Sequence, residues 1–132
     1  MRNLILGPAA LIAGLCALPV AASAQSYICA LGEVYECEAV TGCKRVSTDT
    51  VNLSEFILVD VDKKQLTELA IGENGETEDI EGISSTDKAI FLHGQQDKET
   101  WNATISLEDG SLTGGISSSP SSFALFGHCT KK

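Results

Sequence analysis

The sequence predicts an all-β fold, an antiparallel up-and-down barrel or sandwich of about seven to nine short strands stapled by disulfides. Three observations support this prediction. After residue 24, no segment repeats its apolar residues at the helical period of 3.6 over three turns. Short β-rich runs alternate with turn-forming residues, as in sheets of short antiparallel strands. Four cysteines remain once the N-terminal segment is set aside.

Residues 1–24 have the three-part composition of a cleaved signal peptide. Arg2 gives a positive start, an uncharged apolar run follows, and Ala22-Ser23-Ala24 supplies the small residues of a cleavage site. The alternative is a membrane-spanning helix, which needs about 20 apolar residues, whereas this run is shorter and interrupted by prolines. We therefore expect one domain, residues 25–132, exported to the periplasm or the extracellular medium without a stable membrane anchor.

The cysteines of this domain are Cys29, Cys37, Cys43 and Cys129. An even number in a small exported chain indicates two disulfides, for which three pairings exist. Zinc binding is disfavoured because the spacing lacks the short Cys-x2–4-Cys pair of structural zinc sites. Cys29 lies in the first predicted strand and Cys129 ends the last one, and a closed or nearly closed sheet brings these strands together. The favoured pairing is therefore Cys29–Cys129 with Cys37–Cys43.

The segment 99–117 gives the clearest hairpin. Apolar and polar residues alternate from Trp101 to Leu107, which is the period of a half-buried strand. Asp109-Gly110 follows and is typical of a two-residue type I′ turn. Such a turn predicts the opposed pairs Leu107–Leu112, Ile105–Gly114 and Ala103–Ile116, with all apolar side chains on one face.

The other strands are predicted from shorter β-rich runs. A second hairpin is expected around Asn74-Gly75, with Leu69 opposite Ile80. The segment 41–54 has no clear period, and it is expected to be a loop or to include one helical turn at Ser54-Glu55. The runs assigned to strands, besides the hairpin at 99–117, are Tyr27–Cys29, Phe56–Val61, Leu66–Gly72, Thr77–Ile83, Ala89–Leu92 and Ser122–His128.

Several short motifs resemble those of a known group of proteins. They are Cys29…Glu36-Cys37…Cys43, then Leu58-Val59-Asp60-Val61-Asp62, a strand containing Trp101, Gly110-Ser111-Leu112, and the ending Gly127-His128-Cys129. The layout is similar to that of small exported β-rich proteins of unknown function from Gram-negative bacteria. This resemblance implies an exported β-rich domain and carries no activity with it.

The chain is acidic, with a formal net charge of −9 at pH 7. Nucleic acids and anionic membranes require clustered Lys and Arg, so neither is an expected partner. A cationic protein partner is compatible with this charge. The densest run of acids spans residues 73–81 and could offer oxygen ligands to calcium. Acids on a hairpin alternate between faces, however, so we expect a solvated turn, with no metal site and no cofactor.

No catalytic constellation is predicted. His93, His128 and Cys129 are the candidates for nucleophilic chemistry, but Cys129 is expected to be oxidised and no third group orients a base. We therefore expect a non-enzymatic binding module acting on a protein partner, as an inhibitor or envelope accessory protein, which negative charge would steer towards a basic surface. The alternative is a small-ligand carrier barrel. A cavity would favour the carrier, and a filled interior with an exposed patch would favour the binding module.

Overall fold

The structure is a computed structural model that describes residues 24–70 and 75–132. Apart from Ala24, the predicted signal peptide lies outside the described residues. Within them no helix is long and apolar enough to cross a membrane. The strands are β1 Ser26–Glu38, β2 Gly42–Val46, β3 Phe56–Asp60, β4 Gln65–Glu68, β5 Thr77–Asp79, β6 Gly82–Ser85, β7 Ala89–Gln96, β8 Glu99–Ser106, β9 Ser111–Ser118 and β10 Ser121–Lys131. A 3-10 helix spans Thr48–Val51.

The strands form one antiparallel sheet, so the predicted all-β fold is confirmed. The order is β5-β4-β3-β1-β10-β9-β8-β7-β6, and β2 pairs with β1 off this path. Most neighbours in this order are neighbours in the chain, which is the up-and-down arrangement. The main path has nine strands, and the additional strand β2 was not predicted. On one side β1 pairs with β10, and on the other it pairs first with β3 and then with β2.

The two ends of the sheet meet along one extended segment. β5 pairs with β4 and β6 pairs with β7, yet only Ile80 and Glu81 separate β5 from β6. The amide of Ile80 donates to the Lys64 carbonyl, and the amide of Glu81 donates to the His93 carbonyl. The sheet therefore curls into a half-barrel. The run predicted as one strand, Thr77–Ile83, is extended but changes partner halfway along.

Both predicted disulfides are present with the favoured pairing. Cys29 and Cys129 are bonded and lie directly opposite each other in the β1–β10 ladder. Cys37 and Cys43 are bonded across the β1–β2 hairpin. The first bridge is in the interior, with Cys29 only 1% and Cys129 only 4% exposed. It joins β1 and β10, the first and last strands of the chain, as the sequence predicted.

The apolar core is densest at one end of the half-barrel, which we call the packed end. Tyr27, Ile80, Ile90 and Ile105 are buried there. Ile90 faces Ile105 in the β7–β8 ladder, and Tyr27 faces Val59 in the β1–β3 ladder. These residues come from strands far apart in the sequence. Their packing therefore holds the curl of the sheet.

The hairpin β8–β9 is present, but its predicted register is wrong by two residues. The observed pairs are Ile105–Leu112, Ala103–Gly114 and Trp101–Ile116. The loop has four residues, because the Ser106 hydroxyl accepts hydrogen bonds from the amides of Glu108 and Asp109 and the Ser106 carbonyl accepts one from the Gly110 amide. A shift of two keeps every apolar residue on its face. Leu107 leaves the strand and is 42% exposed.

The predicted hairpin between Leu66 and Ile83 is also present with a different register. Leu66 faces Glu78, and Leu69 is not opposite Ile80, because the Leu69 amide donates to the Phe56 carbonyl of β3. The Asn74 position of the predicted turn lies outside the described residues.

The segment 41–54 contains β2 and the 3-10 helix, and no helical turn forms at Ser54-Glu55. The 3-10 helix ends at Asn52, whose backbone is left-handed with φ of 52°. The sequence of this segment has no periodic pattern from which β2 or the 3-10 helix could have been predicted.

Candidate ligand cavity

A cavity of about 980 Å³ occupies the interior of the half-barrel next to the packed end. Its wall comes from many strands and combines an apolar inner part with polar and charged residues. One residue from each of six strands illustrates this: Leu31, Ile57, Leu66, Leu92, Ile116 and Leu125. Pockets that enclose small molecules have volumes of roughly 300–1,000 Å³. The interior therefore has space for a ligand beyond its own side chains.

The space exists because small residues occupy inward positions in the middle of the sheet. Ala103 and Gly114 face each other in the β8–β9 ladder, and both line the cavity. On the packed-end side of this pair, Ile105 is fully buried against Leu112. Large side chains thus fill one end, while an Ala–Gly pair leaves the centre hollow.

Trp101 lies against the cavity wall beside Gly94. These two residues are paired in the β7–β8 ladder. A Cβ atom on Gly94 would lie 2.6 Å from Cζ2 of the indole, closer than side chains tolerate. Glycine at position 94 therefore leaves the room that the indole occupies. Trp101 is half-buried and lines the cavity, so it presents an aromatic surface there.

Residues 47–55, which connect β2 to β3, form a strap across the cavity. Val51 and Leu53 pack against the buried core and line the cavity from the strap. On the other side of the strap lies a second, more open concavity of about 920 Å³, which includes Ser47, Asp49 and Glu55. The 3-10 helix and the residues that follow it thus place one apolar side chain each, Val51 and Leu53, towards the interior. Sequence analysis missed this role because two apolar residues show no period.

The strap is fastened to β4 through Glu68. One carboxylate oxygen of Glu68 accepts hydrogen bonds from the backbone amide of Ser54 at 3.2 Å and from its hydroxyl at 3.1 Å. Both contacts are partly buried, which makes them stronger than the same contacts in water. Glu68 therefore has a structural role in addition to lining the cavity.

The end of the cavity opposite the packed end carries most of its charge, and we call this end the mouth. Six charged residues line the cavity: Glu68, Glu76, Glu78, Asp97, Lys98 and Glu99. Five are acidic and one is basic. The acids come from β4, from the β5 region and from the β7–β8 turn, so the fold collects them from separate parts of the chain.

The acids at the mouth are close enough to repel one another. The pKa of the Glu78 carboxyl is raised above its ordinary value, first by burial and then by the negative charges of Glu68, Glu76 and Glu99. Within residues 24–70 and 75–132, the ion pairs involve other acids, namely Glu36, Glu33 and Glu108. Among the described residues, the acids at the mouth therefore form no salt bridge, and Lys98 is the basic side chain that lines the cavity beside them.

Of the acidic stretch 73–81, the structure describes residues 75–81, in which Glu78 is half-buried and the other acids are exposed. Glu76 and Glu78 line the cavity, whereas Asp79 faces Gln65 and is exposed. The acids do alternate between faces, as predicted. Sequence analysis could not show that the inward ones meet Glu68 and Glu99. In the part of the chain that the structure describes, no three His, Cys, Asp or Glu side chains are placed to hold a metal ion.

The histidines considered for catalysis lie elsewhere. His93 and His128 are exposed on the outer face of the sheet, on β7 and β10, and neither lines the cavity. Cys129 is bonded to Cys29 and is therefore not a free thiol. The structure does not bring these three residues into one site.

Comparisons of the chain with protein families, curated proteins and solved structures found no match.

Proposed function

We propose that the protein is a non-enzymatic, exported carrier that binds a small, largely apolar ligand inside its half-barrel, in the periplasm or the extracellular medium. The cavity of about 980 Å³ carries this proposal. Protein interiors are normally packed as densely as organic crystals, and voids larger than a water molecule are few. A small β domain with a space of this size next to a well-packed end loses packing energy, and binding of a ligand against the apolar part of the wall would offset that loss.

The two disulfides support the exported location. Disulfides persist in oxidising compartments such as the periplasm and the extracellular medium. Cys29–Cys129 and Cys37–Cys43 both fasten β1, which contributes Leu31 to the cavity wall. A wall held by covalent bonds is preorganised, which reduces the entropic cost of binding.

The proposal is tested with a neutral apolar fluorophore, N-phenyl-1-naphthylamine, and the protein in its oxidised form. The chain contains one tryptophan. Because Trp101 lines the cavity, its emission reports binding by energy transfer to the probe. We expect saturable binding of one probe per chain. Ala103→Leu should weaken it by roughly tenfold or more, since the added side chain fills the cavity.

The matched control is Thr104→Leu, which adds a similar volume on the other face of the same strand. Ala103 lines the cavity, while Thr104 faces Phe91 and Thr113 and does not. The control should bind the probe as the parent does. Absence of saturable binding, or equal binding by both variants when both melt cooperatively, would contradict the carrier proposal.

A protein-binding module is the second candidate, and an apolar patch on the outer face favours it. Ile28, Phe56 and Phe126 are 39%, 45% and 44% exposed on the adjacent strands β1, β3 and β10. Tyr35 packs edge-on against Phe126, with ring centroids 6.1 Å apart. Exposed aromatic side chains of this kind are common at protein interfaces. The acidic chain would attract a cationic exported protein.

The two candidates are separated by one pair of substitutions on the outer face. Phe56→Ser with Phe126→Ser should leave probe binding in the cavity unchanged. If the protein instead acts as an inhibitor or accessory factor, the parent should capture one identified basic protein from its native envelope fraction, and this double variant should lose that protein. Capture that is independent of the patch would remove the support for the second candidate.

A further inference from the structure

The apolar part of the cavity wall indicates the chemical character of the part of the ligand that fills the cavity. Leu92 on β7 and Leu112 and Ile116 on β9 line it, and their side chains offer no hydrogen bond. The part of a ligand that displaces water from these side chains must itself be apolar. A hydrated metal ion has no use for such a wall. The ligand of this cavity is therefore organic.

The acidic residues at the mouth indicate the charge of the ligand group that lies there, next to the apolar part. Of the six charged side chains that line the cavity, five are acidic and only Lys98 is basic. In a partly desolvated site, fixed charges of one sign favour a ligand group of the opposite sign and exclude the same sign. An anionic or strongly polar neutral head is therefore disfavoured at this end.

The free protein stores electrostatic repulsion that a cation would relieve. Glu78 is half-buried, and its pKa is raised by burial and by the carboxylates of Glu68, Glu76 and Glu99. Such convergence of like charges is unfavourable for the free protein, and carboxyl groups whose pKa is shifted by burial and neighbouring charges inside a cleft are candidates for functional sites. A cation placed among these carboxylates lowers their mutual repulsion and forms favourable ion pairs with them.

The indole of Trp101 also favours a cationic group in the ligand. It is held beside Gly94 on the cavity wall, with two ladder pairs between it and the β7–β8 turn, which carries Asp97 and is followed by Glu99. Indole is the best aromatic partner for ammonium groups, and the interaction is stronger away from bulk water. The aromatic wall and the acidic mouth thus favour the same ligand charge independently.

We propose that the ligand is an amphipathic organic cation, with an apolar body in the cavity and an amine or quaternary ammonium group at the mouth between Glu76, Glu78 and Glu99. This inference rests on the carrier function proposed above and adds the chemical class of the ligand. The site is the cavity, and the acids decide only which charged end its ligand carries.

Three probes with the same apolar chain test the inference: decyltrimethylammonium, decanol and decyl sulfate, each below the concentration at which it aggregates. Isothermal titration calorimetry and Trp101 quenching measure their binding to the oxidised protein. We expect the cation to bind roughly tenfold or more tightly than decanol, and decyl sulfate to bind most weakly. Added salt should reduce the advantage of the cation.

Two triple variants with the same change in net charge serve as the matched pair. Glu76→Gln, Glu78→Gln and Glu99→Gln neutralise the mouth. Glu81→Gln, Asp87→Asn and Glu108→Gln neutralise exposed acids that do not line the cavity. The first triple should abolish the preference for the cation while decanol binding persists. The second should keep both.

The outcomes separate this inference from the carrier function on which it rests. If all three probes bind equally well, or if decyl sulfate binds best, the ligand class is wrong and the carrier function stands. If no probe binds saturably, the carrier function fails and this inference fails with it. If both triple variants reduce cation binding equally, the effect comes from net charge, and the assignment to the mouth is overturned.

Discussion

Removing the Cys29–Cys129 bridge should destabilise the protein far more than removing the Cys37–Cys43 bridge. The change is a pair of double variants, Cys29→Ala with Cys129→Ala and Cys37→Ala with Cys43→Ala. The first bridge joins residues separated by 100 positions and the second joins residues separated by 6. In the chain-entropy model, a loop of about 100 residues is worth about 4.7 kcal/mol and a loop of six about 2 kcal/mol.

Burial increases this difference. Cys29 and Cys129 are 1% and 4% exposed, so alanine leaves small voids in the interior. Each void adds a loss of about 1 kcal/mol, comparable with deleting a buried methyl group. Cys37 is half-buried and Cys43 is exposed, so their replacement leaves no interior void. We therefore expect a loss of roughly 6–7 kcal/mol for the first double variant and of about 2 kcal/mol for the second.

The assay is equilibrium unfolding in urea, followed by Trp101 fluorescence and circular dichroism. The slope of the transition should also be steeper for the first variant, because its unfolded chain is less constrained and exposes more surface. The parent unfolded in excess reductant is the control, and its loss should approach the sum of the two. Equal losses, or a larger loss for the short bridge, would refute the reasoning. Under native conditions, reductant should open Cys37–Cys43 first, as alkylation and mass spectrometry would show.

Two further predictions concern single carboxyl groups. The amide of Ser111, with the hydroxyls of Ser106 and Ser111, lowers the pKa of Asp109 to about 2, so its carboxylate stabilises the fold above pH about 4. Asp109→Asn should therefore lower the melting temperature by a few degrees at pH 7. This difference between the variant and the parent should vanish as the pH falls towards 2. The raised pKa of Glu78 has the opposite sign, and its ionised form destabilises the fold. Glu78→Gln should therefore stabilise the protein at pH 7 by a few tenths of a kcal/mol after screening by water, and should have no effect below pH 4. An equal gain in stability from Glu81→Gln, at an exposed position, would contradict the repulsion inferred at Glu78.

Local pattern was sufficient to predict most of the extended segments, although not β2, and it could not predict which strand segments pair. Alternation from Trp101 to Leu107 specifies an extended, half-buried segment. It cannot distinguish two registers that differ by two residues, since both keep the apolar side chains on one face. The register was decided by hydrogen bonds from the loop to Ser106. In the same way, the run Thr77–Ile83 specifies an extended chain and is silent about the change of partner at Ile80.

The cavity could not be predicted from local sequence pattern either, for a different reason. It depends on which inward side chains reach the same level of the sheet from strands distant in sequence. Ala103 and Gly114 are ordinary strand residues one at a time, and only their direct opposition leaves the wall recessed. Glu68 and Glu99 are likewise unremarkable surface acids in the sequence. The curl of the sheet brings them to the mouth beside Glu78.

The hollow interior and the long disulfide are connected through Cys29, which lines the cavity and bonds to Cys129. A domain of this size buries a smaller fraction of its surface than a larger one, and a cavity reduces the packing further. Disulfides supply stability that such cores lack, and they do so without filling space. The bridge joins β1 to β10 in the middle of the sheet, where it crosslinks the first and last strands of the chain. A covalent crosslink at this position therefore stabilises the wall of the cavity while the interior stays empty enough for a ligand.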